Sequence, residues 1–125
     1  MKKRSSLALD KEDGKIIDIF IELGMPRNLS KTLLYVSQVD ECRSAEIEQG
    51  ADLRQPEVSI AMKELHKRGW IKKRNLKKEG KGRPVHIYKK TMNLSQIIKT
   101  FEKEKLKEIE TMKNDISELK NLVNK

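Results

Sequence analysis

Apolar side chains recur at helical spacing in four successive segments of the first half of the chain. The first segment runs from Asp13, which we expect to cap a helix, to Leu23, and its wide apolar surface predicts burial against both its own domain and a partner subunit. A second helix is predicted over 28–40. A third, short helix is predicted over 44–49, with Gly50 as the left-handed residue that closes it.

The fourth segment, DLRQPEVSIAMKELHKRGW over 52–70, predicts a turn followed by an amphipathic helix over 55–67. Pro56 is favoured in the first turn of a helix, and Gly69 ends it. The spacing i, i+3, i+4, i+7 places one apolar set inside, namely Val58, Ala61, Met62 and Leu65. The outward or marginal positions are then Ser59, Ile60, Lys63 and Lys67.

Beyond Trp70 the period changes from that of a helix to that of strands. IKKRN begins a basic strand at Ile71, KKEGKGR supplies a glycine-containing turn, and PVHIYKK alternates Val85 and Ile87 with His86 and Tyr88. This pattern predicts a β-hairpin with a strongly basic tip.

The last segment predicts one helix that runs to the end of the sequence. Asn93 and Gln96 have the spacing of a capping box. Apolar residues then follow at intervals of 3, 4, 3 and 4, whereas the earlier positions of that seam fall on Glu102 and Lys105. Such a stripe needs a partner, and pairing of two copies is the simplest arrangement. The predicted dimerisation residues are Ile98, Phe101, Ile109, Met112, Ile116, Leu119 and Val123.

The positive charge of the chain is concentrated in one stretch. The net charge is +9, and residues 63–90 hold twelve Lys and Arg residues against two glutamates. The other residues hold 16 basic and 17 acidic side chains, so that one stretch supplies the whole excess. Such a concentration indicates a surface that faces a polyanion.

Composition also bounds the class of protein. A single cysteine excludes an internal disulfide and a multi-cysteine metal cluster, and no apolar run is long enough to span a membrane. We therefore expect a cytoplasmic protein with no metal, no cofactor and no membrane partner. No catalytic triad, paired carboxylates or phosphate-binding glycine loop is evident, so we do not expect an enzyme.

Taken together, the elements predict a mainly α protein with a small β-hairpin wing. The order of helix, helix, short helix, basic-edged helix and basic hairpin is that of a winged helix-turn-helix, followed here by a long C-terminal dimerisation helix. We expect a flexible basic arm over 1–12, a DNA-binding domain over 13–91 and a dimerisation helix over 93–125.

The segment LRQPEVSIAMKELHKRGWI resembles the recognition helix of ArsR-type winged-helix repressors, and GKGRPVHIYK resembles the wing of archaeal TrmB-like and MarR-like regulators. Together the likeness covers residues 28–90. It implies a dimeric, archaeal transcription regulator. Arg54 stands where the family has a capping serine, Ile60-Ala61 replaces a polar pair, and Cys42 stands alone where metal sensors of this type have paired cysteines.

Two sets of residues are predicted to contact DNA. The recognition-helix set consists of Arg54, Gln55, Ser59, Ile60, Lys63 and Lys67, which would enter the major groove. The wing set consists of Lys73, Lys77, Lys78, Lys81 and Arg83, which would reach flanking phosphates or a minor groove. For Ile60 two interpretations stay open: contact with thymine methyl groups, or packing beneath the wing.

Other residues offer weaker candidates. Cys42 is either a redox switch, activated by Arg43 and the following helix start, or an inert thiol. His66 and His86 are interpreted as surface residues rather than metal ligands. Glu57 either accepts from a cytosine amino group or serves its own helix start.

Three functions are compatible with this sequence. The first is a sequence-specific regulator, acting mainly as a repressor, that binds double-stranded DNA as a homodimer. The second is an architectural protein that coats DNA with little sequence preference, and the third is a winged-helix module that binds another protein. The sequence identifies no small-molecule effector.

Overall fold

The computed structural model describes residues 9–76 and 85–125, and within these ranges five helices and one β-hairpin follow one another. The fold is the predicted one: mainly helical, with a two-stranded hairpin and a long last helix. The elements are α1 (Lys11–Glu22), α2 (Arg27–Ser37), α3 (Ser44–Ala51), α4 (Gln55–Lys67), β1 (Ile71–Leu76), β2 (Val85–Lys90) and α5 (Leu94–Val123).

Helix α1 begins earlier than predicted, because the capping residue is Asp10 and not Asp13. The Asp10 carboxylate accepts from the Asp13 N–H at 3.0 Å, and the Asp13 carboxylate accepts from the Asp10 N–H at 2.8 Å. This reciprocal pair is a capping box with Asp13 at its third helical position. Buried Asp13 also accepts from the Gln38 side chain at 2.7 Å, which ties α1 to the end of α2.

Helix α2 is the centre of the winged unit. Leu33, Leu34, Tyr35 and Val36 are almost completely buried, and the two buried hydroxyls of Ser30 and Thr32 donate to carbonyls one turn earlier. Helices α1, α3 and α4 all pack on α2, and α3 also packs on α4. The contacts of α4 with α2 and α3 fix its orientation. The core therefore supports the helix that was predicted to read DNA.

The predicted role of Gly50 was wrong. Gly50 lies inside α3, which continues to Ala51, and the left-handed residue is Asp52 with φ of 55°. Glycine is required at 50 for space: an added Cβ would overlap Cδ1 and Cε1 of Tyr35 and lie 2.8 Å from Cζ. Gly50 therefore allows α3 to approach the buried ring of α2.

Helix α4 has the predicted bounds and the predicted inner face. Val58, Ala61, Met62 and Leu65 are all buried. The helix is capped by Arg68 and followed by Gly69 with φ of 79°, and Trp70 directly after it is buried with the Arg68 guanidinium 4.9 Å from its ring centre. Trp70 therefore anchors the end of α4 in the core.

The hairpin pairs β1 and β2 antiparallel, with Ile71 opposite Lys90 and Leu76 opposite Val85. A third segment, missed by the sequence analysis, joins its edge through Cys42. The Cys42 N–H donates to the Tyr88 carbonyl at 3.0 Å, and the Tyr88 N–H donates to the Cys42 carbonyl at 2.8 Å. This bridge attaches the hairpin to the chain that precedes α3.

The chain divides into two compact units, the first ending at Leu94 and the second spanning Ser95–Lys125. The second unit is the helix α5, in which Ile97 and Phe101 are buried. None of the helices in the described ranges combines the length and hydropathy that a bilayer span requires.

Candidate nucleic-acid interface

The outward face of α4 is exposed along its whole length. Its six predicted contact residues, Arg54, Gln55, Ser59, Ile60, Lys63 and Lys67, are all classed as exposed. Ile60 is 71% exposed, so within the described residues it is not packed beneath the hairpin. An apolar side chain at the centre of a polar, exposed helix face is available to a ligand.

A cleft of about 390 Å³ separates this face from the hairpin. Helix α4 supplies one wall, and strands β1 and β2 supply the other. Its lining is rich in hydrogen-bonding and cationic side chains. The lining residues are Ser44, Gln55, Ser59, Met62, Lys63, His66, Lys73, His86 and Tyr88.

Four cleft residues on β2 and α4 were not among the predicted contacts: Met62, which belongs to the predicted inner face, and His66, His86 and Tyr88. Strand alternation had placed His86 and Tyr88 on one face, but which face of the hairpin meets α4 depends on tertiary packing. His86 Nδ1 lies 2.7 Å from the Asn75 side-chain oxygen. Because an amide oxygen only accepts, the imidazole donates from Nδ1.

Glu57 holds the start of α4. Its carboxylate accepts from the Arg54 N–H at 2.8 Å and lies 3.5 Å from the Asn28 amide nitrogen at the start of α2. The hydrogen bond from the Arg54 backbone is the main reason that the pKa of Glu57 is lowered. Glu57 is therefore engaged in positioning the helix, which favours the helix-start interpretation over contact with cytosine.

The basic residues of 63–90 divide into two groups. Three of them are engaged by the protein itself: Arg68 contacts Glu64 at 2.8 Å, Arg74 contacts Glu41 at 3.1 Å, and Lys90 donates to the carbonyls of Ser37 and Val39. In the described part of that stretch, the lysines with neither an ion-pair nor a hydrogen-bond partner in the protein are Lys63, Lys67, Lys72, Lys73 and Lys89.

Only part of the predicted wing can be placed. Lys73 lies on β1, pairs with Tyr88 and lines the cleft. Lys77, Lys78, Lys81 and Arg83 lie outside the described residues. Among the described residues, the lysines that line the cleft are Lys63 on the α4 wall and Lys73 on the hairpin wall.

The environment of Cys42 favours the inert thiol over the redox switch. The thiol is buried, and that burial, together with the nearby Glu46 carboxylate, raises the pKa of Cys42 from 9.0 to about 12. The adjacent Arg43 does not offset these effects, because Cys42 faces inward at the bridge to Tyr88. A protonated thiol is a poor nucleophile, which supports the inert interpretation.

The described ranges contain no cluster of three His, Cys, Asp or Glu side chains that could hold a metal ion.

Six of the seven predicted dimerisation residues are exposed in the single chain. Ile98 is 43% exposed, and the five residues of the seam from Ile109 to Val123 are 47–76% exposed. Phe101 differs, because it is only 4% exposed, with the Lys105 ammonium 5.1 Å from its ring centre. Phe101 is thus buried within its own chain and offers little surface to a second one.

The three-helix core, the exposed α4 and the hairpin beside it define a winged helix-turn-helix protein. Among solved structures, a possible transcriptional regulator from Methanosarcina mazei is similar, with 16% identity, a TM-score of 0.63, and coverage of 91% of this chain and 98% of that one. TrmBL2, described as an archaeal chromatin protein with a novel mode of DNA binding, is similar with 15% identity and a TM-score of 0.59.

The match to TrmBL2 covers 88% of this chain but only 42% of TrmBL2. At these identities the similarity establishes the shared fold. Neither a protein-family model nor a curated protein sequence matches this chain.

Proposed function

We propose that this protein is a sequence-specific transcription regulator that binds double-stranded DNA as a homodimer. Helix α4 enters the major groove, and the hairpin contacts the flanking backbone. The observation that carries the proposal is the exposed outer face of α4 beside a cleft with cationic lysines on both walls. Occlusion of a promoter by the bound dimer is the simplest mode of regulation.

Sequence discrimination is assigned to three neighbours on α4. Gln55 and Ser59 offer directional hydrogen bonds to base edges, and Ile60 offers an apolar surface that fits a thymine methyl group. The 71% exposure of Ile60 supports this interpretation over packing beneath the hairpin. We therefore propose that the preferred site has A·T pairs opposite Ile60.

We assign to the lysines the phosphate contacts that position the protein on the duplex. A lysine is a point charge that suits phosphate and carries no base information by itself. With about four phosphate contacts per subunit, the logarithm of affinity should fall with the logarithm of salt concentration at a slope of about −7. A slope near −1 would contradict a DNA-binding function and favour a protein-interaction module.

The first experiment is selection and sequencing of DNA bound by the purified protein at near-physiological salt. We expect a two-fold motif with half-sites about one helical turn, 34–36 Å, apart. Gln55→Ala and Ile60→Ala should relax the preference at particular positions. DNA recovered without any motif would instead indicate the alternative, a coating protein of low specificity, which is closer to the description of TrmBL2 as a chromatin protein.

Neighbouring strand residues provide a matched control for the phosphate contacts. Lys73 lines the cleft, whereas the guanidinium of Arg74 is engaged by Glu41. Lys73→Ala should make the salt slope shallower by about 2 per dimer, and Arg74→Ala should change it less. Equal changes would contradict the assignment of the cleft to the DNA backbone.

The homodimer is assigned to the apolar seam of α5. Ile116→Asp places a charge at the centre of that seam and should convert a dimer to a monomer, as measured by sedimentation. Asn114→Asp adds the same charge on the opposite side of the helix and serves as the control. If Ile116→Asp remains a dimer, the interface lies elsewhere, for instance on exposed Ile19 of α1 and exposed Leu23 directly after it.

A further inference from the structure

The apolar stripe of α5 has the detailed spacing of a two-stranded coiled coil. Counting the 3, 4, 3, 4 intervals from Ile109 assigns the a positions to Ile109, Ile116 and Val123 and the d positions to Met112 and Leu119. All five are exposed in the single chain. Among parallel coiled coils, β-branched residues at a with leucine at d favour two strands. Here all three a residues are β-branched, and the d residues are Met112 and Leu119.

Charged residues flank this seam with opposite signs on its two sides. The g positions before Ile109 and Ile116 hold Glu108 and Asp115, the g position before Val123 holds Leu122, and the e positions after Met112 and Leu119 hold Lys113 and Lys120. All four charged side chains are exposed. Residues at e and g lie across the seam from one another and set the orientation of the partner.

In a parallel pair, each g residue faces the e residue five positions later on the other helix. Glu108 then faces Lys113 of the second copy, and Asp115 faces Lys120 of the second copy. Because the pair is symmetric, each contact occurs twice. All four contacts are between opposite charges.

In an antiparallel pair, g residues face g residues and e residues face e residues. The alignment that best overlaps the seam brings Glu108 toward Asp115 of the second copy and Lys113 toward Lys120 of the second copy. Each of these contacts also occurs twice, and all four are between like charges. The charge pattern therefore distinguishes the two orientations.

We propose that residues 106–123 of α5 pair in parallel and in register with the same segment of a second copy of this chain. The inference rests on the proposed homodimer and adds its orientation. Parallel pairing brings the two Leu94 residues together at one end of the coil. Antiparallel pairing would separate them by about 60 Å, given a rise of about 1.5 Å per residue from the centre of the overlap near residue 114.

The start of the coil is also consistent with this alignment. Glu102 and Lys105 occupy the preceding a and d positions. Lys105 is held within its own chain, 3.2 Å from the Glu108 carboxylate and 5.1 Å from the Phe101 ring centre. The apolar seam accordingly begins after these residues, at Ile109.

Two double variants with unchanged net charge test the orientation. Glu108→Lys with Lys120→Glu turns all four parallel contacts into like-charge contacts and makes the antiparallel contacts complementary. Asp115→Lys with Lys120→Glu keeps the parallel contacts complementary and serves as the matched control. We expect the first variant to raise the dimer dissociation constant on the order of tenfold and the second to leave it nearly unchanged, since exposed ion pairs each contribute little.

A cysteine placed at Glu102 gives an independent result. In the parallel register, Glu102→Cys lies against its own copy and should form a 102–102 disulfide in a glutathione buffer. In the antiparallel register the two copies of residue 102 lie about 36 Å apart, given a rise of about 1.5 Å per residue from the centre near residue 114, so no such bond can form. The unmodified chain, whose only thiol is buried Cys42, is the control.

Sedimentation of the unmodified chain separates the two proposals. A dimer with the 102–102 disulfide and the expected variant order supports the parallel coil. A dimer without that disulfide, or a dimer that the first variant tightens, overturns the orientation and leaves the homodimer intact. A monomer overturns both.

Discussion

The contact between Gly50 and Tyr35 predicts that one alanine substitution will have opposite effects at two helical glycines. Gly50 in α3 lies against the buried Tyr35 ring, where an added Cβ would overlap ring atoms. Gly14 in α1 has no atom within 4 Å of the corresponding Cβ position. Because both glycines are helical, the gain from helix propensity is similar and the contact with Tyr35 is the main difference.

The magnitudes determine the sign at each site. Alanine in place of a glycine inside a helix stabilises by about 0.5–1 kcal/mol. Overfilling a packed core costs about 1–3 kcal/mol. We expect Gly14→Ala to raise the free energy of unfolding by about 0.5–1 kcal/mol and Gly50→Ala to lower it by about 1–2 kcal/mol, since Tyr35 is almost completely buried and has little freedom to move.

Urea unfolding followed by circular dichroism, at one protein concentration throughout, measures both effects. The fixed concentration is needed because the stability of a dimer depends on it. If Gly50→Ala stabilised the protein as much as Gly14→Ala, the ring would have moved at no cost. The close approach of α3 to α2 would then not explain the glycine.

Two further predictions follow from the pKa values. With the pKa of Cys42 at about 12, the thiolate fraction at pH 8 is on the order of a thousandfold below that of a thiol with the ordinary pKa of 9.0. Alkylation of Cys42 by iodoacetamide should therefore be correspondingly slow until urea unfolds the chain. Rapid alkylation of the folded chain would contradict the buried thiol. The lowered pKa of Glu57 means that it stabilises the folded state above the ordinary pKa of 4.5 and loses this effect as pH falls through its lower folded value. Glu57→Gln should therefore reduce the acid dependence of unfolding, and an unchanged acid profile would count against the Arg54 hydrogen bond.

Helix α4 was predictable because its signals are local and consistent. Pro56 and Gly69 mark its ends, and its apolar spacing identifies the inner face, so the exposed face follows by elimination. The start of α1 could not be predicted in the same way. Asp10 and Asp13 are both good capping residues, and only their reciprocal hydrogen bonds decide between them. Gly50 was misassigned because glycine serves both left-handed turns and close packing, and the Tyr35 contact is tertiary.

The candidate site was predictable on its α4 side and less so on its hairpin side. The alternation of β2 groups His86 with Tyr88, but the packing of the hairpin decides that this pair lines the cleft. The sequence left both interpretations of Cys42 open for a similar reason. Arg43 and a following helix are visible in the sequence, whereas burial at the bridge to Tyr88 depends on the fold.

The division of the basic residues changes what the charge excess means. Arg68, Arg74 and Lys90 are engaged by Glu64, Glu41 and the end of α2, so a count of charges from the sequence overstates the surface available to a polyanion. The two arginines of this group are the side chains best suited to bidentate recognition of guanine, and both are occupied within the protein. The cations that remain in the described part of 63–90 are lysines, which hold phosphate without reading sequence. If the protein discriminates among sites, that discrimination then rests mainly on Gln55, Ser59 and Ile60, with the exposed Arg54 beside them.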